Sequence, residues 1–422
     1  MTAIPRGLTN TIGPLLASAA LLTAGCLYVR FGSANLVRLA SPDMGLHVDF
    51  ESFWRSAYAL RHHADLYRTG AALPNLNPPV LAVLLAPLAE LGVLTAYHVF
   101  ALFGTVLVVG SVIAVAEWTR LRSVWAMVTV AALLLSSPLQ GTAALGQVYG
   151  LLAVALTAAW LAERRGRQGW SGVAIGLAVA LKPSLAPLLL WPVVRRRWPA
   201  LGGGCPTPRS GRRALDPGRP ALDPGWRALG AALAAGAVAA AVGIVAGSWA
   251  ATVEWLRLLG AFQVTGFLDN DSLAALAVRF HQPAWLGFLA AGGLLGITLW
   301  RARRRPEHAL WSITAAALLL APVAWNNYLV LLAPAVPLLL ARHRWRAALP
   351  LLALPVIGIE WALALPPGDS VLSRLGMSLY CGILLTYWAV LTFGPAEIEP
   401  ESEVELDAPD VSLDAVRERV ST

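Results

Sequence analysis

The sequence predicts an all-α polytopic membrane protein, and three observations lead there. Apolar residues make up 57% of the 422 residues and charged residues only 13%, with a mean hydropathy of +0.63, whereas soluble proteins carry about 25% charged residues. Apolar runs of spanning length recur along the chain. Basic residues gather in short clusters between those runs, which marks orientation in a membrane rather than nucleic-acid binding. Three well-separated cysteines (Cys26, Cys205, Cys381) indicate neither a disulfide framework nor a metal site.

Residues 11–29 form an apolar run of spanning length, read as a retained anchor rather than a cleaved signal. A polar island follows at 43–77. Within it Phe50, Phe53, Trp54, Ala57, Tyr58 and Leu60 recur at helical spacing, with Arg55, Arg61 and His62 on other faces. That pattern predicts an amphipathic helix over 50–63 lying on the membrane surface. Asn77-Pro78-Pro79 opens a short apolar helix over 79–91. At ~20 residues per span it is too short to cross, and is read as interfacial or re-entrant.

Crossings are expected at 93–117, 124–138 and 148–162, with a polar turn at 139–147. The segment 169–194 has arginine-rich flanks at both ends (164–167 and 195–197), so a single span would break the positive-inside rule at one end. A hairpin with Lys182-Pro183-Ser184 at its tip satisfies both, and Pro183 supplies the break. The Gly-, Pro- and Arg-rich stretch 198–228 lacks apolar periodicity and is read as a disordered cytoplasmic linker.

Further crossings are expected at 229–249, 284–300, 309–323, 328–341, 347–364 and 374–392. With the hairpin counted as two, the total is about twelve. The expected organisation is one transmembrane domain over 1–393 and an acidic cytoplasmic tail over 394–422, which holds nine of the 24 acids. Both termini then lie inside, and the first large loop (30–78) and the loops at 139–147 and 250–283 lie outside.

Those outside loops carry most acids of the membrane region, including Asp43, Asp49, Glu51, Asp65, Glu254, Asp269 and Asp271. No nucleotide-cradling G-x-x-x-x-G-K-[ST] or G-x-G-x-x-G signature accompanies them, which argues against a nucleotide-driven pump. Few ionisable residues fall mid-membrane, which argues against an ion-coupled relay. Of the 32 basic residues only Lys182 is a lysine, which singles out that position for an ammonium.

The run Asp49-Phe50, Phe53-Trp54, Ala57, Leu60, Ala64-Asp65-Leu66-Tyr67, then Pro78-Pro79 and Ala86-Pro87-Leu88-Ala89, resembles the opening of glycosyltransferase family 87. Gly146-Gln147, the stretch from Gly172 through Gly176 to Leu181-Lys182-Pro183, Asn270-Asp271-Ser272-Leu273 and Pro322-Val323-Ala324-Trp325 extend the resemblance over about residues 45–345. The resemblance implies a GT-C architecture with short outside helices and a cavity facing the periplasm. It implies inverting transfer of a sugar, mannose in actinobacterial members, from a polyprenyl-phosphate donor to a glycolipid or lipoglycan. An acidic residue of the first outside loop then serves as base, and that position is Asp49.

The chemistry agrees with this pattern. An acceptor hydroxyl loses its proton as it attacks the anomeric carbon, and a positioned carboxylate takes that proton. Charge develops on the leaving phosphate, and a fixed cation nearby stabilises it; Lys182, Arg61 and Arg68 are the alternatives. Glu51 and Asp65 are alternative bases or braces. Tyr67, Gln147, Asn270, Asp271, Asn326 and Asn327 complete the candidate substrate-binding set. No metal and no cofactor is expected.

The chain departs from the family pattern in three places. Trp325-Asn326-Asn327-Tyr328 replaces Trp-Asp-His-His, Asn77-Pro78-Pro79 replaces an aromatic-Pro-Pro, and Gly146-Gln147-Val148-Tyr149 replaces Gly-Gln-x-Asn. These departures leave the sugar open. A lipid-linked glycan transporter and a non-catalytic scaffold of the same fold are the rival readings.

Overall fold

The computed structural model describes residues 38–194, 224–304, 308–342, 344–358 and 370–394. The expected first span, most of the expected linker and the acidic tail beyond Gly394 lie outside the described residues. The helices in chain order are α1 (Val48–Arg61), α2 (Pro79–Leu85), α3 (Val93–Trp118), α4 (Ser123–Leu135), α5 (Ser137–Leu145), α6 (Tyr149–Arg164) and α7 (Gln168–Leu181). A 3-10 turn (Pro183–Leu189) leads to α8 (Leu190–Val194), then α9 (Pro224–Gly247), α10 (Trp249–Ala261), α11 (Leu273–Arg279) and α12 (Ala284–Arg304). The set closes with α13 (Ala309–Leu320), a 3-10 helix (Asn326–Leu332), α14 (Ala335–Ala341), α15 (Trp345–Ala353), α16 (Val371–Gly376) and α17 (Leu379–Phe393). Among the described residues there is no β-strand, only an isolated bridge between Asn270 and Trp325.

Three of these helices are long and apolar enough to cross a bilayer: α3, α9 and α12. The pair α4–α5 is apolar enough only when taken together and is bent by 52°, as in a broken span or a re-entrant loop. The exposed surfaces of the long helices are apolar, with Leu102, Phe103 and Val106 on α3, Val238 and Val245 on α9, and Leu289 on α12. Such a belt needs a partner other than water, and lipid supplies it. Among the described residues the other expected crossings are shorter helices, and breakers shorten several of them. Pro183, Pro334 and the Ser136-Ser137-Pro138 corner each end a helix early. At 1.5 Å per residue, the 12-residue α13 covers about 18 Å of a ~30 Å core.

Two expectations change in detail. The polar turn expected over 139–147 is mostly helix: Ser136 caps α5 by accepting from the Leu139 N–H, and Gly146 ends it in the left-handed region. The outside loop expected over 250–283 carries α10 and α11. Conversely α1 forms almost where its spacing predicts, but Phe50, Phe53 and Ala57 pack into the protein core rather than into lipid.

The close packing of α7 on α9 bears on the expected hairpin. Gly172 faces the Ala228 carbonyl and Gly176 faces the Ala232 carbonyl so tightly that neither glycine has room for a Cβ. The small-x-x-x-small spacing lets the two backbones touch. Because both contacts advance together along the two helices, α7 and α9 run parallel. The chain therefore returns to its starting side between Leu181 and Pro224, as the expected reversal at Lys182 requires. At the centre lies α13, buried on every face from Ala309 to Leu319, with Trp311 fully enclosed.

Candidate active site

The site is built at the start of α1. His47 precedes the helix and fixes its entry. Its Nδ1 lies 2.6 Å from the Ala144 carbonyl and its Nε2 3.1 Å from the Ser41 carbonyl. The imidazole stacks on Tyr97 at 3.7 Å between ring centroids. The start of α1 is thereby pinned to the last turn of α5. Three residues on, Phe50 fills the space beside Gly146, where a Cβ would lie 2.5 Å from the Phe50 Cβ. Gly146 also has φ +66°, so both its conformation and its contact require glycine.

This tight corner delivers Gln147 to Asp49. The Gln147 side-chain amide donates to the Asp49 carboxylate in a short hydrogen bond. Burial raises the Asp49 carboxyl above the ordinary carboxylate range, while the Gln147 hydrogen bond and the Lys182 charge pull it back down. Its place in the first turn of α1 sets it at the positive end of the helix dipole.

Lys182 reaches the same place from the break between α7 and the 3-10 turn. Its Nζ lies 5.1 Å from the centroid of Tyr328 and 5.8 Å from that of Tyr149. Those two rings are 4.5 Å apart. The ammonium is therefore held over aromatic faces, which attract a cation and leave its donors available.

Asp49, Gln147 and Lys182 line a cavity of ≈ 460 Å³ with Ser52, Asn77, Gln263 and Trp325. A second cavity of ≈ 300 Å³ adjoins it, lined mainly by Leu259, Phe262, Pro322, Val323 and Tyr328. Leu76, Asn77, Lys182, Phe262 and Trp325 border both. The site thus has one lobe that carries the polar groups on a partly apolar wall, the polar lobe, and a second, more apolar lobe; they meet at the lysine, and each has the size of an ordinary ligand pocket.

The other expected residues fall outside these lobes. Glu51 pairs with Arg55 at 2.8 Å. Asp65 accepts from the Tyr67 N–H at 2.9 Å and shapes the loop. The Tyr67 hydroxyl donates to the Asn77 carbonyl at 2.8 Å. Arg61 pairs with Glu90, and Arg68 lies 3.4 Å from Glu254. Of the three alternative cations, the cavity receives only Lys182.

Asn270, Asp271, Asn326 and Asn327 stand behind Trp325. The Asn270 side chain donates to the Pro322 carbonyl at 3.1 Å and accepts from the Ala324 N–H at 3.0 Å. The Asp271 N–H donates to the Ala324 carbonyl at 2.6 Å, and the Asn326 N–H donates to the Asp269 carbonyl at 3.0 Å. Asn327 is fully buried and its side-chain atoms have no hydrogen-bond partner. Asn270, Asp271 and Asn326 hold the Trp325 segment against the loop before α11.

Ser52, Tyr149, Gln263 and Phe262 were not among the expected site residues. Tyr149 follows Gln147 by two, and Ser52 lies one turn beyond Asp49, so their neighbours carried a signal. Gln263 and Phe262 sit at the end of α10, in a stretch expected as loop, where nothing local pointed to the cavity.

A helical, largely apolar protein with a carboxylate, an amide and an ammonium around a two-lobed cavity is a membrane protein with a candidate ligand site. The description "Glycosyltransferase family 87" matches residues 75–208 and 220–325, and the chain belongs to that family. An alpha-(1->3)-arabinofuranosyltransferase of Mycobacterium tuberculosis is 31% identical over 166 residues, covering 36% of this chain and 37% of the relative. The alpha-(1->3)-arabinofuranosyltransferase of Corynebacterium glutamicum is 25% identical over 263 residues, covering 59% of this chain and 54% of the relative. The chain thus spans between about a third and a half of the length of these curated relatives.

Proposed function

We propose that this chain is a membrane glycosyltransferase that moves a sugar from a polyprenyl-phosphate donor to a hydroxyl of a glycolipid or lipoglycan. The convergence of Asp49, Gln147 and Lys182 at the junction of a polar and an apolar lobe carries this reading. The prenyl chain lies in the apolar lobe, the phosphate at Lys182, and the sugar and acceptor hydroxyl in the polar lobe. Asp49 takes the acceptor's proton as the new bond forms at the anomeric carbon and the carbon–phosphate-oxygen bond breaks. The negative charge left on the phosphate is met by Lys182. Attack from the face opposite the phosphate inverts the anomeric centre.

The fold reading that goes with it is a GT-C bundle of about twelve crossings, with both termini inside and the cavity facing outside. The names of the relatives favour arabinofuranose as the sugar, ahead of the mannose implied by the family resemblance. The test is transfer from polyprenyl-phosphate arabinose and polyprenyl-phosphate mannose to membrane extracts, comparing wild type with Asp49→Asn. Label in a glycosidic product, lost in the variant, is the expected result. Equal transfer by Asp49→Asn removes the base. Movement of the lipid-linked sugar without a new glycosidic bond favours a transporter.

A further inference from the structure

Asn77 borders both lobes of the cavity and is 5% exposed. Its orientation follows from a chain of hydrogen bonds of defined polarity. Ser56 has one hydroxyl hydrogen, held between the Ser52 carbonyl (2.9 Å) and the Leu66 carbonyl (2.7 Å). Toward Asn75 it therefore acts as acceptor, and the Asn75 Nδ2 donates to it at 3.0 Å. The Asn75 Oδ1 is then turned to Asn77, where it accepts from the backbone N–H at 2.9 Å. That N–H can only donate, so the assignment is fixed at both ends of the Asn75 amide. The same Oδ1 accepts from the Asn77 Nδ2 at 3.1 Å. The Asn77 Oδ1 is left on the opposite side of its amide, at a residue bordering the cavity, with no donor among the described residues.

We infer that Asn77 is a specificity residue whose carbonyl oxygen accepts a hydrogen bond from a hydroxyl of the donor sugar, with Asn75 as the positioning residue that fixes its direction. This rests on the proposed transfer from a lipid-phosphate sugar. The donor sugar rather than the acceptor is indicated because Asn77 and Lys182 both border both lobes. The group between a phosphate at Lys182 and the polar lobe is the ring attached to that phosphate. A bare acceptor oxygen in a nearly buried site favours a hydroxyl and disfavours a ligand that lacks one there, because the oxygen is then left unpaired.

The experiment uses the full chain in lipid nanodiscs and a short-chain prenyl-phosphate pentose with its mono-deoxy series. Wild type is expected to lose about 10- to 100-fold in kcat/KM with one member of the series, the cost of leaving one buried acceptor unpaired. Asn77→Leu, similar in shape but without the acceptor, is expected to lose a comparable factor with the parent donor and to treat that deoxy donor and the parent alike. Asn75→Asp keeps the acceptor that orients Asn77 and is expected to retain the discrimination. Asn77→Ala replaces Asn77→Leu if the larger side chain prevents folding. Discrimination by Asn77→Leu as sharp as in wild type overturns the inference.

A binding arm separates this from the transfer reading. Donor binding to Asp49→Asn and to Asp49→Asn/Asn77→Leu is followed by tryptophan fluorescence, which needs no chemistry. If wild type transfers no sugar but binding shows the same levelling, the transfer reading falls and the Asn77 assignment stands. Unaltered discrimination in binding, or no binding of any sugar phosphate, overturns it.

Discussion

Two buried polar clusters in this protein contain the same kinds of group and have opposite fates. Asp49, Gln147 and Lys182 meet at a cavity. Asn270, Asp271 and Arg279 meet around the loop before α11, away from that cavity. In both, burial raises an aspartate, and in both a nearby cation opposes the rise. Arg279, however, is largely committed to the protein. It donates to the carbonyls of Gly266 (3.2 Å), Phe267 (3.1 Å) and Asn270, and to the Ser378 hydroxyl (2.9 Å). Lys182 touches only aromatic faces among its described contacts. A cation with four of its five N–H donors committed to the protein is architecture, whereas one held over rings at a cavity is available to a ligand. Access rather than residue type separates the two.

The sharpest way to break the comparison is to neutralise each aspartate in turn. Asp49→Asn is expected to lower transfer by about 10²- to 10⁴-fold, the range of a general base, with unchanged helical content by circular dichroism. Asp271→Asn is expected to leave transfer close to wild type. Its carboxyl is fully buried, has no hydrogen-bond partner among the described residues, and is pushed by burial well above the ordinary carboxylate range. Loss of transfer in the second variant with correct folding would dissolve the distinction.

The two cations come next. Lys182→Met removes a charge that acts most in the transition state, so kcat is expected to fall by about 10²- to 10³-fold with a smaller change in KM. Arg279→Met strands several buried acceptors and removes the counter-charge beside Asp271. It is expected to lower stability by about 3–5 kcal/mol, read as a drop in thermal melting midpoint. The fraction that folds should keep its pH dependence of transfer.

The first cluster was more legible in the sequence than the second. Asp49, Gln147 and Lys182 each stood in a local pattern: a helical apolar repeat, a Gly-Gln corner, and a lone lysine before proline. Asn270, Asp271, Asn326 and Asn327 looked alike as polar loop residues, because nothing local says that the two loops bridge each other at Asn270 and Trp325. The apolar lobe was illegible for a similar reason, since its wall combines the end of α10 with Pro322 and Val323 from a distant loop. Helix existence followed from apolar periodicity, as in α1 and α3. The break at Pro183 was legible from the proline and the arginine-rich flanks, whereas the Ser136-Ser137-Pro138 corner, which bends α4 against α5 by 52°, sits inside a run that hydropathy alone reads as continuous to residue 138.

The smallest expected effect probes how the first cluster is tuned. Gln147→Leu removes a hydrogen bond that favours the charged form of Asp49. Without it the carboxyl titrates at still higher pH. A base must be ionised to accept a proton, so transfer falls as pH drops through the Asp49 value. Loss of the Gln147 bond should therefore move the acid limb of the pH–kcat/KM profile upward, while the plateau at high pH changes little. Arg279→Met should not move that limb, because Arg279 opposes the rise of Asp271 and is not among the groups acting on Asp49. If both variants shift the limb alike, the titrating group is not the aspartate beside Gln147, and the two clusters act as one.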